Sequence, residues 1–464
     1  MSSPAAVKAA PPPPAPAGAG SPESWGIVGG GMLGMTLAHR LARAGRRVTL
    51  FEDADHLGGL ADPWQIGDVV WDRHYHVTLL SDRYLRALLD ELGLDQEMEW
   101  TETRTGFYAG GKLISMTGVV EFLRFPLLSL VDRLRLGLTI FYASHVKQWR
   151  KLEKVLVEDW LTRWSGRRAF ERVWGPLLRS KLGEAYKETS AAFIWATIDR
   201  LYEARRSGLK RELFGYVPGG YDRILKRFSQ RLEEEGVRIR LKEGARRVAP
   251  TGNGRVGLET STGSLERFDQ VVLTVPSPAA ARICPDLTED ERARLLGVRY
   301  QGIVCASLLL SQPLSDYYVT NITEPWVPFT GVIEMSSLVN RKHLGGHCLV
   351  YLPKYVAPDD PLFERSDAEI QESFLAALER MYPHFRRDQV LAFRVSRVRH
   401  VFALTTLNYS EKLPPLTTSL PGVHLVNSTH VLNGTLNVNA TLRLAETAVQ
   451  GLLSESRRAV LPAY

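Results

Sequence analysis

The stretch SWGIVGGGMLGMTLAHRLARAGRRVTLFED, residues 24–53, decides the fold of this chain. An apolar strand runs into the spacing Gly29-x-Gly31-x-x-Gly34, a helical pattern follows, and a second apolar strand closes the segment. The first glycine permits a tight turn, the second lets a pyrophosphate approach the backbone, and the third lets helix and strand pack closely. Free N–H groups at the helix N-terminus then bind the anion. The segment therefore predicts a βαβ unit that holds a dinucleotide.

Glu52, the residue that closes the second strand, narrows the choice of dinucleotide. A carboxylate at this place accepts hydrogen bonds from a ribose and repels a 2′-phosphate, which argues against NADP. The same glycine spacing recurs at Gly252, Gly254 and Gly257, but strand-like residues flank it on both sides. That context predicts a hairpin turn and no second dinucleotide site.

A second pair of glycines, Gly58-Gly59 in HLGGLA, follows shortly after Glu52. With the first glycine motif, this pair resembles the N-terminal signature of the superfamily of amine oxidases, phytoene desaturases, protoporphyrinogen oxidases and UDP-galactopyranose mutases. The resemblance continues through GYVPGGYDRILKRFSQRLEEEGVRIRLKEGARRV (215–248), FDQVVLTVPSP and the closing GVHLVNSTHVLNGTLNVNATLRLAETAVQGLL. It implies FAD as the cofactor.

The same resemblance implies the fold class and the domain organisation. The expected class is α/β (α+β overall), with a Rossmann-type FAD-binding domain that is discontinuous in sequence. This domain takes residues 24–105, 212–280 and 396–458. Residues 106–211 and 281–395 form a mixed substrate-binding domain with a helical part.

Residues at both glycine turns and in three later segments are implied as FAD contacts. The closing loop LNGTLNVNA departs from the superfamily, which more often has Gly-Asp or an acidic residue there. The residues implied to bind FAD are Gly29, Gly31, Met32, Leu33, Gly34, Glu52, Asp53, Gly58, Gly59, Leu60, Ala245, Thr274, Asn437, Val438 and Asn439.

Two histidines in WDRHYHVTLLSD, residues 71–82, are the first candidates for catalysis. On a strand, His74 and His76 would share one face and Tyr75 would point the other way. A metal site needs at least a third ligand, which no nearby spacing supplies. By the resemblance, this segment runs beneath the flavin, and His76 matches the flavin-facing histidine of the mutases. The histidines either act on flavin or substrate, or only support the strand.

Arg299 and Glu334 are weaker catalytic candidates. Arg299 precedes an apolar strand, and Glu334 lies in FTGVIEM. In the mutases, an arginine that grips the substrate's pyrophosphate lies three residues before the matching Glu, and this chain has Gly331 there. That difference counts against an unmodified UDP-galactose mutase.

The net charge of +7 is concentrated in one region. Residues 121–181 contain thirteen Lys and Arg against six Asp and Glu, but nothing there resembles a nucleic-acid-binding module. An anionic membrane surface, a phosphate-bearing substrate and plain solvent all remain open as the partner of this charge. Membrane contact is not favoured, because most basic amphipathic helices simply pack one face on a core. Charges also interrupt every apolar run that approaches the length of a membrane span.

The first 23 residues are rich in Ala and Pro, carry no aromatic side chain and no aliphatic one larger than that of Val7, and predict a disordered tail. Without an export signal, and with Cys284, Cys305 and Cys348 far apart, the chain is expected to be cytoplasmic and reduced, with no metal.

The expected function is that of an FAD-dependent oxidoreductase that removes a hydride from a C–H or C–N bond of a small molecule. The alternative is a non-redox nucleotide-sugar mutase that resembles UDP-galactopyranose mutase. The superfamily's escort proteins have lost the flavin, and the intact glycine motif with Glu52 argues against that reading. Neither the substrate, the electron acceptor nor the oligomeric state follows from the sequence.

Overall fold

The structure is a computed structural model that describes residues 22–117, 121, 125–126, 128–205, 213–432 and 436–460, with the side chains of 201–205 and 455–460 left out. The predicted tail, residues 1–23, lies outside the described residues except for Pro22 and Glu23.

A five-stranded parallel sheet, here called the parallel sheet, forms the first layer. Its strands, in spatial order, are Arg238–Arg240, Arg47–Phe51, Ser24–Val28, Gln270–Leu273 and Val423–Leu425. Helices pack in one core with its central strands: Met32–Arg43, Arg83–Glu91, Gly220–Glu234 and Val438–Val460. Strands from three distant parts of the sequence thus build one Rossmann-type layer, as predicted.

An antiparallel three-stranded sheet, with strands Ala245–Pro250, Val256–Thr260 and Leu265–Phe268, shares a second core with the parallel sheet. Residues 251–255 turn between its first two strands, with the Thr251 N–H bonded to the Arg255 carbonyl at 2.6 Å. The hairpin prediction for the second glycine motif is therefore confirmed.

A seven-stranded mixed sheet, here called the mixed sheet, forms the second large layer. Its strands, in spatial order, are Val390–Ala403, Tyr300–Leu310, Cys348–Val356, Gly331–Glu334, Val319–Ile322, Thr105–Ala109 and Lys112–Ser115. Every residue of Tyr300–Leu310 is buried, because helix Asp367–Met381 packs on one face of the sheet and Trp71 belongs to the core on the other.

Helices make a third layer with its own core. They are Leu130–Ala143, Val157–Ser165, the consecutive segments Arg167–Ala169, Phe170–Trp174 and Gly175–Leu182, and Ala191–Arg205. The other strands are Pro63–Ile66, Val69–Asp72, Thr78–Leu79, Glu99–Glu102 and Leu213–Tyr216, and the other α-helices are Ser277–Ile283, Glu289–Leu296 and Tyr409–Lys412. Short 3-10 helices lie between these elements. The division of the chain into two domains stays a prediction.

The strand predicted for residues 71–82 is wrong as a continuous element. Strand Val69–Asp72 ends where Asp72 pairs with Pro63, and residues 73–77 are irregular before the short strand Thr78–Leu79. Pro63 has no N–H with which to extend the ladder. Beyond it, the Arg73 N–H donates to the carbonyl of Asp62, so the chain follows the second glycine turn.

Candidate cofactor and active site

The first glycine turn leaves the end of strand Ser24–Val28 in a conformation that only glycine adopts easily. Gly29 has φ 108°, and a Cβ on Gly34 would lie 1.9 Å from the carbonyl oxygen of Gly29. The Thr274 hydroxyl, at the end of the neighbouring strand, lies 2.8 Å from the Val28 carbonyl and 3.1 Å from that of Gly29. The turn is thus held from both sides, and any side chain at Gly34 would push it apart.

The second glycine turn lies directly against the first. Gly31 and Gly58 form an isolated parallel bridge, and the Gly58 N–H donates to the Gly30 carbonyl at 2.9 Å. A Cβ on Gly59 would be 3.1 Å from the Cα of Gly31. Gly31 is also the N-cap of helix Met32–Arg43, whose first-turn N–H groups have no partner within the helix. Two stretches of bare backbone therefore meet at the carboxyl edge of the parallel sheet, where a pyrophosphate can approach.

Glu52 supplies the carboxylate beside this cradle. Its Oε2 accepts the Gly30 N–H at 2.6 Å and its Oε1 accepts the Ala54 N–H at 2.9 Å. The segment that ends at Ala245 runs alongside, since the Glu243 N–H donates to the Glu52 carbonyl and a Cβ on Gly244 would lie 2.3 Å from Asp53. The donor groups and the bare backbone fit a dinucleotide with an unmodified ribose.

The predicted cofactor residues near the cradle are therefore close together. Met32 and Leu33 are buried in the first helical turn, and Leu60 lies in the second glycine turn. This juxtaposition follows from the parallel sheet, because the carboxyl ends of its strands meet at one edge.

The side chains of the closing segment, Asn437, Val438 and Asn439, make contacts within the protein. Asn437 accepts the Ala440 N–H at 2.9 Å at the start of helix Val438–Val460, and the Val438 side chain packs against the core beside the parallel sheet. The Asn439 side-chain oxygen accepts the N–H groups of Tyr84 and Leu85, at 2.9 and 3.2 Å. It thereby ties the closing helix to the start of helix Arg83–Glu91, and contact of this segment with FAD stays a prediction.

His74 extends from the end of the cradle into the mixed sheet. Its Nδ1 lies 3.4 Å from the carbonyl of Leu60 and its Nε2 lies 3.1 Å from the hydroxyl of Ser396. A carbonyl only accepts, so Nδ1 carries the hydrogen and Nε2 accepts from the serine. Burial, with the neighbouring His76 and Arg73 adding to it, lowers the pKa of His74 to about 3. The imidazole is therefore neutral and joins the second glycine turn to the mixed sheet.

His76 belongs to a different group of side chains. Its ring centre is 4.8 Å from that of Tyr221, and its Nδ1 is 3.7 Å from Asp72 Oδ2. Asp72 is buried and its Oδ1 accepts the Tyr221 N–H at 2.7 Å, near the start of helix Gly220–Glu234. The expectation that the two histidines share one face is therefore wrong, because the backbone between them is not a strand.

Sequence reasoning missed a pair of tyrosines next to this segment. The hydroxyls of Tyr75 and Tyr355 are 2.7 Å apart, and the Lys181 amine lies 5.4 Å from the centre of the Tyr355 ring. Burial raises the pKa of Tyr355 to about 12 and lowers the pKa of Lys181 to about 8. No local pattern could have found this group, since its three members come from a loop, a strand and a helix far apart in sequence.

Arg299 and Glu334 lie in two other neighbourhoods. Arg299 is half exposed and ion-paired with Glu188. Glu334 is buried in the mixed sheet, where its Oε2 accepts the N–H groups of Leu314 and Ser315 at 3.0 and 3.2 Å. Burial raises the pKa of Glu334 to about 7. The catalytic role of both residues stays a prediction, which these contacts do not favour.

Comparison with known proteins agrees with this geometry. Residues 33–444 match the family described as flavin containing amine oxidoreductase. Coproporphyrinogen III oxidase from Mycobacterium tuberculosis is 29% identical over 284 residues, which cover 57% of this chain and 61% of that protein. The chain thus spans about three fifths of the length of this relative.

Solved structures share the fold over nearly the whole chain. An Exiguobacterium protein, provisionally assigned as a protoporphyrinogen oxidase, superposes with a TM-score of 0.74 at 18% identity, covering 94% of this chain and 99% of its own. Reduced UDP-galactopyranose mutase superposes with a TM-score of 0.72 at 15% identity, covering 94% and 96%. These likenesses show the fold alone and confirm the predicted α/β class.

Proposed function

The chain belongs to the flavin containing amine oxidoreductase family, and from that premise we propose that it is an FAD-dependent oxidoreductase that removes a hydride from a C–H or C–N bond of a small molecule. Family membership confirms the predicted resemblance and FAD as the cofactor. The observation that carries the proposal is the contact between the two glycine turns at Gly31 and Gly58, with Glu52 beside them. This arrangement leaves a dinucleotide the space and the donors that it needs.

FAD supplies the hydride acceptor when it is bound. The chain's own side chains have to orient the substrate, exclude water and take up the proton that accompanies the hydride. His74 contributes rigidity, because its neutral ring connects Leu60 in the second glycine turn with Ser396 in the mixed sheet.

Lys181 is the side chain best suited to take up a proton. Its pKa of about 8 leaves part of the amine neutral near neutral pH, and a general base works best when its pKa lies near the working pH. Its amine lies 5.4 Å from the ring centre of Tyr355, whose hydroxyl is 2.7 Å from that of Tyr75, the neighbour of His76 in sequence. We assign His76 to substrate contact, since its ring is 18% exposed whereas His74 is buried.

Purified protein tests the cofactor assignment directly. Gly34→Ala places a Cβ 1.9 Å from the Gly29 carbonyl, so it should abolish FAD binding. Gly252→Ala is the matched control: it lies in the second copy of the same spacing, where an added Cβ meets nothing within 4 Å. Flavin absorbance per protein should be lost in the first variant and kept in the second. Equal FAD content in both variants would contradict the proposed cradle.

Anaerobic mixing with candidate substrates tests the reaction. Porphyrinogens and primary amines are the first compounds to try, because the names of the relatives and of the family point to them. Loss of the oxidised-flavin spectrum on mixing supports the oxidoreductase. Turnover of a nucleotide sugar that needs prior reduction with dithionite and consumes no oxidant would show the mutase instead.

His76→Ala should then slow substrate-dependent flavin reduction while FAD remains bound. Val70→Ala is a suitable comparison, since Val70 is 43% exposed and lies on the strand just before the histidine segment. If both variants reduce at the wild-type rate, His76 supports only the fold.

A further inference from the structure

Helix Leu130–Ala143 presents an apolar face that no described residue covers. Of the thirteen most exposed large apolar side chains among the described residues, seven lie on it or beside it, at 39–66% exposure. We call them the apolar ridge: Leu130, Val131, Leu134, Leu138, Phe141, Tyr142 and Trp164. Single exposed apolar residues are ordinary, but a contiguous group of this size marks an interaction surface.

The ridge is a preformed surface and not a frayed helix. Leu136, Thr139 and Ala143 on the opposite face are buried against the helical layer. The helix starts with a capping box between Ser129 and Asp132. At its other end the Tyr142 ring stacks on that of Trp164, with 4.2 Å between ring centres. Contacts within the chain therefore hold the helix that carries the ridge in place before any other molecule binds.

Positive charge predominates among the exposed charged residues of the segment that carries the ridge. Exposed acids over residues 128–172 are few, namely Asp159 and Glu171, whereas the exposed bases are Arg135, Lys147, Arg150, Lys151, Lys154, Arg163, Arg167, Arg168 and Arg172. Arg135 donates to the Arg163 backbone carbonyl at 3.3 Å, so its guanidinium lies against the end of helix Val157–Ser165, beside the ridge. An apolar strip bordered by cations is complementary to a lipid surface that combines acyl chains with anionic headgroups.

We propose that the apolar ridge docks on the surface of an anionic lipid bilayer, with its side chains among the lipids and the surrounding arginines and lysines on the headgroups. A second copy of the chain fits the surface less well, because a symmetric contact would bring two sets of like charges together. Among the described helices, none is long and apolar enough to cross a bilayer. The proposal is independent of the reaction that the flavin site catalyses.

Sedimentation of FAD-loaded protein with vesicles tests the docking surface. Binding to vesicles of phosphatidylcholine with phosphatidylglycerol should exceed binding to phosphatidylcholine alone and should fall with added salt. Leu134→Ser with Leu138→Ser should weaken binding about a hundredfold, at about tenfold for each leucine withdrawn from lipid. Leu265→Ser with Leu391→Ser is the matched control, since these leucines are 57% and 49% exposed on distant strands.

Charge is tested separately by Arg163→Gln with Arg167→Gln, which leaves every apolar side chain in place. This pair should weaken binding to the anionic vesicles by about tenfold or more and leave FAD content unchanged. If both serine pairs bind like the wild type, or if the wild type prefers neither kind of vesicle, the proposal is overturned. A concentration-dependent dimer in analytical ultracentrifugation that Leu134→Ser with Leu138→Ser abolishes would overturn it in favour of a second copy.

Discussion

Replacing His74 by glutamine should remove one defined part of the acid sensitivity of this protein. The imidazole is buried between Leu60 and Ser396, and its pKa falls from the ordinary 6.5 to about 3. The unfolded chain therefore takes up a proton over a range of pH in which the folded protein does not. Glutamine keeps a donor for the Leu60 carbonyl and an acceptor for the Ser396 hydroxyl, but it does not titrate.

The size of the effect follows from the shift in pKa. The folded pKa of His74 is lowered because its neutral form is buried. Its contribution to the free energy of unfolding is therefore complete above about pH 6.5 and is lost as the pH falls. One pKa unit corresponds to about 1.4 kcal/mol. At about pH 5 the folded protein has therefore lost about 2 kcal/mol, and towards pH 3 the loss reaches about 5 kcal/mol.

Chemical denaturation of the FAD-loaded protein at about pH 7.5 and about pH 5 measures this difference. Between these two conditions, the free energy of unfolding should fall by about 2 kcal/mol more in the wild type than in His74→Gln. His384→Gln, which changes an exposed histidine, should keep the wild-type dependence. An identical fall in the wild type and His74→Gln would refute the neutral, buried state of His74.

Three further predictions concern Glu334, Lys181 and Arg40. The folded pKa of Glu334, about 7, lies above its ordinary 4.5, so the protein loses stability as the pH rises between these values. Glu334→Gln should therefore be more stable than the wild type by about 3 kcal/mol at about pH 8. Near pH 4.5 the two should be equally stable, and urea denaturation at both pH values measures the difference. If Lys181 takes up the proton, the rate of flavin reduction by substrate should increase as the pH rises through about 8. In stopped-flow measurements, Lys181→Met should show no such increase, whereas Lys151→Met, which changes an exposed lysine, should keep it. Arg40 donates to Glu91 at 2.6 and 2.7 Å and to Glu446 at 2.7 Å, so Arg40→Met should cost about 2 kcal/mol in thermal or chemical denaturation. Arg43→Met, which breaks an exposed pair with the same Glu91, should cost about 0.5 kcal/mol, and equal losses would contradict the difference in burial.

Much of the FAD-binding layer was predictable because its signals are local. Gly29 is required by the positive φ of the first glycine turn, and Gly34 by its close approach to the Gly29 carbonyl. Both requirements arise within the same short segment. The rejected motif at Gly252–Gly257 was predictable for the same reason, since the strands on either side of it are neighbours in sequence. Met32 and Leu33 likewise follow directly from the start of the first helix.

The histidine segment was predicted less well, because its conformation depends on the rest of the fold. Alternating side chains in residues 71–82 indicated a strand, but the ladder stops at Pro63 and the second glycine turn redirects the chain. The partner of His74, Ser396, is 322 residues away, so no window of sequence contains both. The Asn439 side chain accepts N–H groups at the start of helix Arg83–Glu91, a contact that no local pattern indicated, and its contact with FAD stays a prediction.

The sequence by itself thus determined the glycine-rich βαβ unit, the carboxylate of Glu52 at the end of the second strand and the family to which the chain belongs. Spacing encodes these features because each depends on backbone conformation within a few residues. Only the tertiary structure decided that Tyr75, Tyr355 and Lys181 form one group, that Arg299 and Glu334 lie apart from it, and that the apolar ridge faces outward. Those facts depend on how sheets and helices stack, and packing between distant segments leaves no periodic signal in the chain.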